Sequence, residues 1–177
     1  MKKVSILMYH QVVEFDSLLS HRATFCHIRP FKSQMAYLHN FGYNVISLGN
    51  ALNTLFFDGT LSKHSVVLTF DDGYQNFYDY AFPVLRKYGF PAIVFLISNL
   101  IGKNAHWLAD DGLFTALLID RETICTLMSK NIFFGSHTKS HPHLIHISHD
   151  QMVEEIIDSK SNLEELLGEK IEENPFH

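Results

Sequence analysis

The sequence predicts an α/β fold built on a parallel sheet. Three observations carry that reading. Short apolar strand segments alternate with helical patterns along the whole chain. The strand segments are nearly continuous in apolar residues, as in strands covered on both faces. Finally, 177 residues that are 46% hydrophobic are enough for one domain with a sizeable core. Alternation of this kind implies right-handed crossovers, closing as either an open doubly wound sheet or a barrel.

Taken in order, Val4–Tyr9 reads as the first strand. Lys2 and Lys3 imitate the basic start of an export signal, but Ser5 interrupts the apolar run and His10 stops it. That run is shorter than the roughly 7–15 apolar residues of a signal core, and a cytoplasmic location is expected. Pro30–Phe41 follows as a helix, with Phe31, Met35 and Leu38 at helical spacing. Asn44–Leu48 is the second strand and Ser65–Phe70 the third. A helical pattern over Asn76–Tyr88 contains Pro83, which predicts a kink or a late start. Ala92–Ile97 and Ile132–Gly135 complete the strands, with a weaker helical stretch at Asp120–Lys130. The clearest helix is Ser148–Leu167: Ser148 is placed as N-cap, Met152, Ile156, Leu163 and Leu166–Leu167 share one side, and Gly168 ends it. The acidic run Glu154–Glu173 reads as its solvated face. Phe56 and Phe57 are expected to pack against the sheet, and Trp107, near His106 and Phe114, is either a packed aromatic or a stacking platform.

Composition excludes several classes of function. The chain has 14 basic and 19 acidic residues, a net charge of −5, which disfavours broad nucleic-acid binding. No apolar run approaches the roughly 18–20 residues of a membrane-spanning helix. Two cysteines, Cys26 and Cys125, cannot form a disulfide scaffold. Histidine is conspicuous: there are twelve, and His137, His141, His143, His146 and His149 crowd one short window.

In parallel α/β folds chemistry gathers where strands end at their C-termini. There the first strand carries His10, the third Asp71-Asp72-Gly73 and the fifth His137-x-x-x-His141. Two adjacent carboxylates repel unless a cation or a shared proton relieves them. Pro142 disfavours helix at His141, so the two histidines belong to a loop that curls around an ion. Two imidazoles and one carboxylate leave a coordination position for water, as in catalytic zinc sites. The same donor set also suits non-haem iron, so the metal stays open on residue types alone.

Thr69–Tyr74 together with Ser136–Pro142 resembles the first two signature motifs of the polysaccharide deacetylase (NodB-homology, carbohydrate esterase four) family. The resemblance extends over Phe31–Leu48, Ala81–Phe95 and Leu163–Gly168. It implies a distorted (β/α) barrel and metal-dependent removal of N-acetyl groups from a carbohydrate. By the same resemblance Asp71 is the base, and Asp72, His137 and His141 hold the metal, Zn2+ or another divalent ion. Leu7-Met8-Tyr9-His10 is similar to the branch acting on poly-N-acetylglucosamine, which implies that His10 is the general acid.

The family's barrel has more than the roughly five strands counted here, so the reading is a single domain, 1–177, an incomplete barrel lacking its C-terminal strands. Asn174-Pro175-Phe176-His177 stands where relatives carry a loop lining the cleft. Three alternatives follow: a truncated inactive remnant or a metal- or sugar-binding module, an oligomer in which another chain completes the barrel, and a metal-dependent hydrolase of a non-sugar amide.

Overall fold

The computed structural model describes residues 3–14, 24–57, 60–107, 116–168 and 170–171. Its elements run β1 (Val4–Tyr9), β2 (Gln11–Val13), β3 (Phe25–His27), α1 (Ile28–Asn40), β4 (Asn44–Val45), α2 (Leu48–Phe56) and β5 (Ser65–Phe70). A π-helical turn, Phe77–Ala81, then runs into α3 (Phe82–Tyr88), followed by β6 (Ala92–Leu96), α4 (Arg121–Met128), β7 (Ile132–Ser136) and α5 (His149–Leu167). Five strands form one parallel sheet in the order β1-β5-β6-β7, with β4 paired to the start of β5. The parallel α/β class and the number of strands in the main sheet are therefore as the sequence implies. No described helix is long and apolar enough to cross a membrane.

β5 is the centre of the sheet, and all six of its residues are buried. Phe70 packs edge-on to Phe31 of α1 and to Phe77 of the π turn, and all three are essentially inaccessible. A fully buried side chain of this kind stabilises the fold by about 1.5–3 kcal/mol relative to exposure. A second, smaller apolar cluster, Tyr74, Ile97, Ala105 and Leu118, lies beyond the ends of β5 and β6. Trp107 packs against it.

Several expectations are corrected. β1 is not covered on both faces: it pairs with β5 only among the described residues, and Ile6 and Met8 are about two-thirds exposed, at 60% and 63%. Ile6 and Met8 alternate with Leu7 and Tyr9, which pack on the core, so β1 is covered on one face, and an apolar run does not by itself report two covering layers. The second strand stops at Val45, because the Ser47 side chain accepts a hydrogen bond from Asn50 N and starts α2. Phe56 and Phe57, at the far end of α2, are each more than half exposed. The three-residue strands β2 and β3 pair with each other and are too short to leave a periodic signal. The stretch around Pro83 stays helical: the π turn runs into α3, and Pro83 sits in the first turn of α3, where a missing N–H costs little.

The last helix matches most closely. Ser148 Oγ accepts from Gln151 N at 3.3 Å, and Gln151 Oε1 accepts from Ser148 N at 3.0 Å. This reciprocal capping box satisfies two backbone donors at once. Gly168 closes α5 in the left-handed region. The buried stripe of α5 includes Leu163 as expected, with Leu166 and Leu167 packed partly buried on the core, but its other members are polar. It consists of Glu155, Ser159 and Leu163, at four-residue spacing, while Ile156 is only half-buried.

Candidate metal centre

The site forms across the C-terminal ends of β1, β5 and β7, with β6 lying between the last two. Asp71 N donates to Tyr9 O at 2.9 Å, carrying the β1–β5 pairing one residue past the strands. That bond sets His10 beside Asp71, with His10 Nε2 3.9 Å from Asp71 Oδ2. The next two residues turn the chain back: Asp72 and Gly73 both have left-handed backbones, at φ 70° and 71°. Gly73 is required for space as well as for conformation. A Cβ there would lie 2.6 Å from Leu96 Cδ2, on a side chain that is itself fully buried.

At the end of β7, His137 N donates to Leu96 O at 2.9 Å, so His137 still follows the sheet. The chain then curls through Thr138 (φ 65°) and reaches His141 (φ 64°), two more non-glycine residues in the left-handed region. Such conformations cost free energy and persist only where the surroundings over-determine them. The curl returns His141 to the same point as His137. Their Nε2 atoms lie 3.4 and 3.3 Å from Asp72 Oδ1, respectively. Trp107 covers His141, with ring centroids 4.4 Å apart.

Asp72, His137 and His141 therefore form a three-residue cluster whose ligand atoms all lie within 4.8 Å of one another. Two features fit a bound cation. Asp72 Oδ1 is buried with no hydrogen-bond partner, although two imidazoles face it closely. A buried carboxylate oxygen left in this way is costly unless an ion takes it up. Moreover, ligands about 2.1 Å from a tetrahedral ion stand about 3.4 Å from each other, close to the separations found here. The remaining histidines of the run, His143, His146 and His149, are exposed and stand outside the cluster.

The two neighbouring carboxylates are driven apart electrostatically. Burial pushes the Asp71 carboxyl above the ordinary range, against the pull of His137 and His10, and the charge of Asp72 adds to the rise. Burial acts the same way on Asp72, but the close approach of His137 and the fields of His141 and His10 prevail and hold it below the ordinary range. Burial would lower His137, yet Asp72 outweighs it and the imidazole is raised. His141 is lowered, chiefly by burial. The Tyr74 hydroxyl lies near Asp72, Trp107 and Gln11, and burial first and Asp72 second push its pKa up.

All five residues singled out in the sequence, His10, Asp71, Asp72, His137 and His141, thus meet at one end of the sheet. Trp107 is packed against the cluster. Phe114 and Asn174–His177 lie outside the described residues. Glu155 was missed. The sequence places it on a solvated acidic face, yet it is buried and accepts from Lys139 N and Ser140 N, both at 2.8 Å, and from Ser140 Oγ at 2.6 Å. The signal available was its four-residue spacing from Ser159 and Leu163.

Fold and site together define a parallel α/β protein with an Asp-His-His cluster of metal-binding type at the C-terminal edge of its sheet. The chain belongs to the polysaccharide deacetylase family, whose model matches residues 58–173. It is 31% identical over 175 residues to YxkH of Bacillus subtilis (strain 168), whose name places it in the same family; the match covers 99% of this chain and 53% of YxkH. It is 42% identical over 74 residues to a poly-beta-1,6-N-acetyl-D-glucosamine N-deacetylase of Staphylococcus epidermidis, covering 42% of this chain and 25% of that protein. Among solved structures, Streptococcus pyogenes deacetylase PplD, in complex with acetate, superposes with a TM-score of 0.73 at 27% identity. That match covers 96% of this chain and 71% of PplD. The chain thus spans about half the length of YxkH and a smaller share of the staphylococcal enzyme.

Proposed function

We propose that this chain is a metal-dependent carbohydrate de-N-acetylase acting on a polymer of N-acetylglucosamine. The observation that carries the reading is the pairing of an ion-holding cluster with two proton-handling groups at its edge. Asp72, His137 and His141 hold a divalent ion, proposed to be zinc on the strength of two imidazoles and one carboxylate. Asp71 and His10 stand beside them, 3.9 Å apart and each one residue past the end of adjacent strands. Similarity over 74 residues to a poly-beta-1,6-N-acetyl-D-glucosamine N-deacetylase supports the substrate class.

An acetamide is a poor electrophile, and its amine is a poor leaving group. When bound, a zinc ion polarises a carbonyl and brings the pKa of a coordinated water to about 7. The residues do the rest. The Asp71 carboxylate takes a proton from the attacking water as the new C–O bond forms. A His10 ring N–H gives a proton to the departing nitrogen as the C–N bond breaks, so that acetate and a free amine result. Burial keeps the basicity of Asp71 above that of an ordinary carboxylate, which favours its role as a base. Asp72 is held low by its imidazole neighbours, which suits an anionic ligand.

Acetate release from N-acetylglucosamine oligomers tests the reading. Asp71→Asn is expected to lower turnover by a factor on the order of 100 or more while leaving bound zinc unchanged. An unchanged rate in that variant would remove Asp71 as the base. Release of acetate or formate only from non-sugar amides would move the substrate class. A zinc-loaded chain silent on every amide would leave a binding module.

A further inference from the structure

We propose that Glu155 is a positioning residue for the metal centre, holding the curl of chain that carries His141 to the point where Asp72 and His137 meet. The inference rests on the reading of Asp72, His137 and His141 as ligands. Between the two histidines lie only Thr138, Lys139 and Ser140, and the curl has left-handed residues near both ends, Thr138 and His141. An unsupported loop of this kind would relax to ordinary backbone angles and withdraw His141.

Glu155 lies one helix away on α5 and is buried. One of its carboxylate oxygens accepts from the two successive backbone N–H groups of Lys139 and Ser140, and the other accepts from Ser140 Oγ. Successive N–H groups converging on one anion form a nest, and here the anion is the protein's own side chain. Neighbouring bonds secure the other side of the curl. Thr138 O accepts from Ser98 N and from Ser159 Oγ, Lys139 O accepts from Asn99 N, and His141 N donates to Thr138 Oγ1. Of these restraints, Glu155 alone bonds the two backbone N–H groups midway between the ligands. Among the described residues its hydrogen bonds go to Lys139 and Ser140 and to neither histidine, so it acts on the site through the curl between them.

The test is zinc affinity by competition with a chromogenic chelator, together with the visible spectrum of the chain loaded with Co2+. Glu155→Ala removes every acceptor from the two N–H groups. It is expected to weaken zinc by about 10–100-fold, the loss typical of removing the groups that orient ligands, and to change the Co2+ bands. Glu155→Gln is expected to restore affinity to within about threefold of wild type. Its amide oxygen can take both N–H groups, and its NH2 can donate to Ser140 Oγ, since a hydroxyl accepts as readily as it donates.

A folded Glu155→Ala chain with wild-type affinity and spectrum would overturn the proposal, because a purely structural role would lower only thermal stability. A Glu155→Gln chain as weak as the alanine variant would overturn it as well. If Glu155→Ala does not fold, Glu155→Asp carries the same test. Its acceptor is drawn back by one methylene, so the same direction of loss is expected, and wild-type binding would overturn the proposal. A wild-type chain that binds neither Zn2+ nor Co2+ would instead remove the metal-site reading on which the proposal stands.

Discussion

At the end of β5, Asp72 is placed by the main chain: a strand bond from Asp71 to Tyr9, two consecutive left-handed residues, and a glycine with no room for a Cβ. At the end of β7, the curl carrying His141 is held by main-chain bonds from Ser98 and Asn99 and by side chains reaching across from α5, Glu155 onto Lys139 and Ser140 and Ser159 onto Thr138. The first corner is short and governed by sterics, so it is either made or not made. The second is a longer curl whose position is the sum of several bonds, so it can loosen by degrees. One cluster therefore has a rigid ligand and an adjustable one, and substitutions at the two corners should differ in kind.

The largest effect is expected at the rigid ligand itself. Asp72→Ala should leave the folded chain with no zinc after dialysis, against about one per chain in wild type, as elemental analysis would read. Retained zinc would place the ion elsewhere. Gly73→Ala comes next. It combines a left-handed alanine, which costs roughly 1–2 kcal/mol, with overpacking against Leu96 of about 1–3 kcal/mol. A chain of this size should then melt several degrees lower, and an unchanged melting temperature would show that the corner is not set by this glycine.

The adjustable corner should respond more mildly. Ser159→Ala removes the bonds to Thr138 O at 2.7 Å and to Ser136 Oγ at 2.6 Å, while Thr138 O keeps its bond from Ser98 N. Chemical denaturation should show a loss of about 1 kcal/mol. A loss as large as that of Gly73→Ala would erase the contrast between the corners.

The smallest effect is a pH dependence. Burial would raise the Glu155 carboxyl, but the bonds from Ser140 and Lys139 prevail and hold it below the ordinary glutamate value. A depressed carboxyl contributes stability that is complete above the unfolded value, about 4.3, and is lost as pH falls through the native value. The difference in melting temperature between wild type and Glu155→Gln should therefore shrink on acidification below about pH 4. A difference constant to pH 3 would show that the charge of Glu155 contributes nothing.

Much of this was legible along the chain. Ser65–Phe70 and Val4–Tyr9 were read with their observed ends, because β-branched runs bounded by turn residues are local signals. The same holds for α5, whose start is marked by Ser148 and whose end is Gly168. Less visible was α2, because a serine cap inside an apolar stretch looks like a continuing strand. The exposure of Ile6 and Met8 was not legible at all, since apolar composition is silent on whether a layer covers each face of a strand.

The sequence by itself determined the parallel α/β class, the ends of β1 and β5, and the five residues gathered at the C-terminal edge of the sheet, since periodicity, turn chemistry and residue type act over a few neighbouring positions. Only the tertiary structure decided that Asp72 Oδ1 faces two imidazoles at 3.3 and 3.4 Å, and that Glu155 lies inside while Glu154 stays out. Adjacent acids on one helix are indistinguishable to local rules. Their environments diverge because α5 packs against the site loop along one stripe, and a residue's position around the helix relative to that stripe decides whether its charge meets water or a nest of N–H groups.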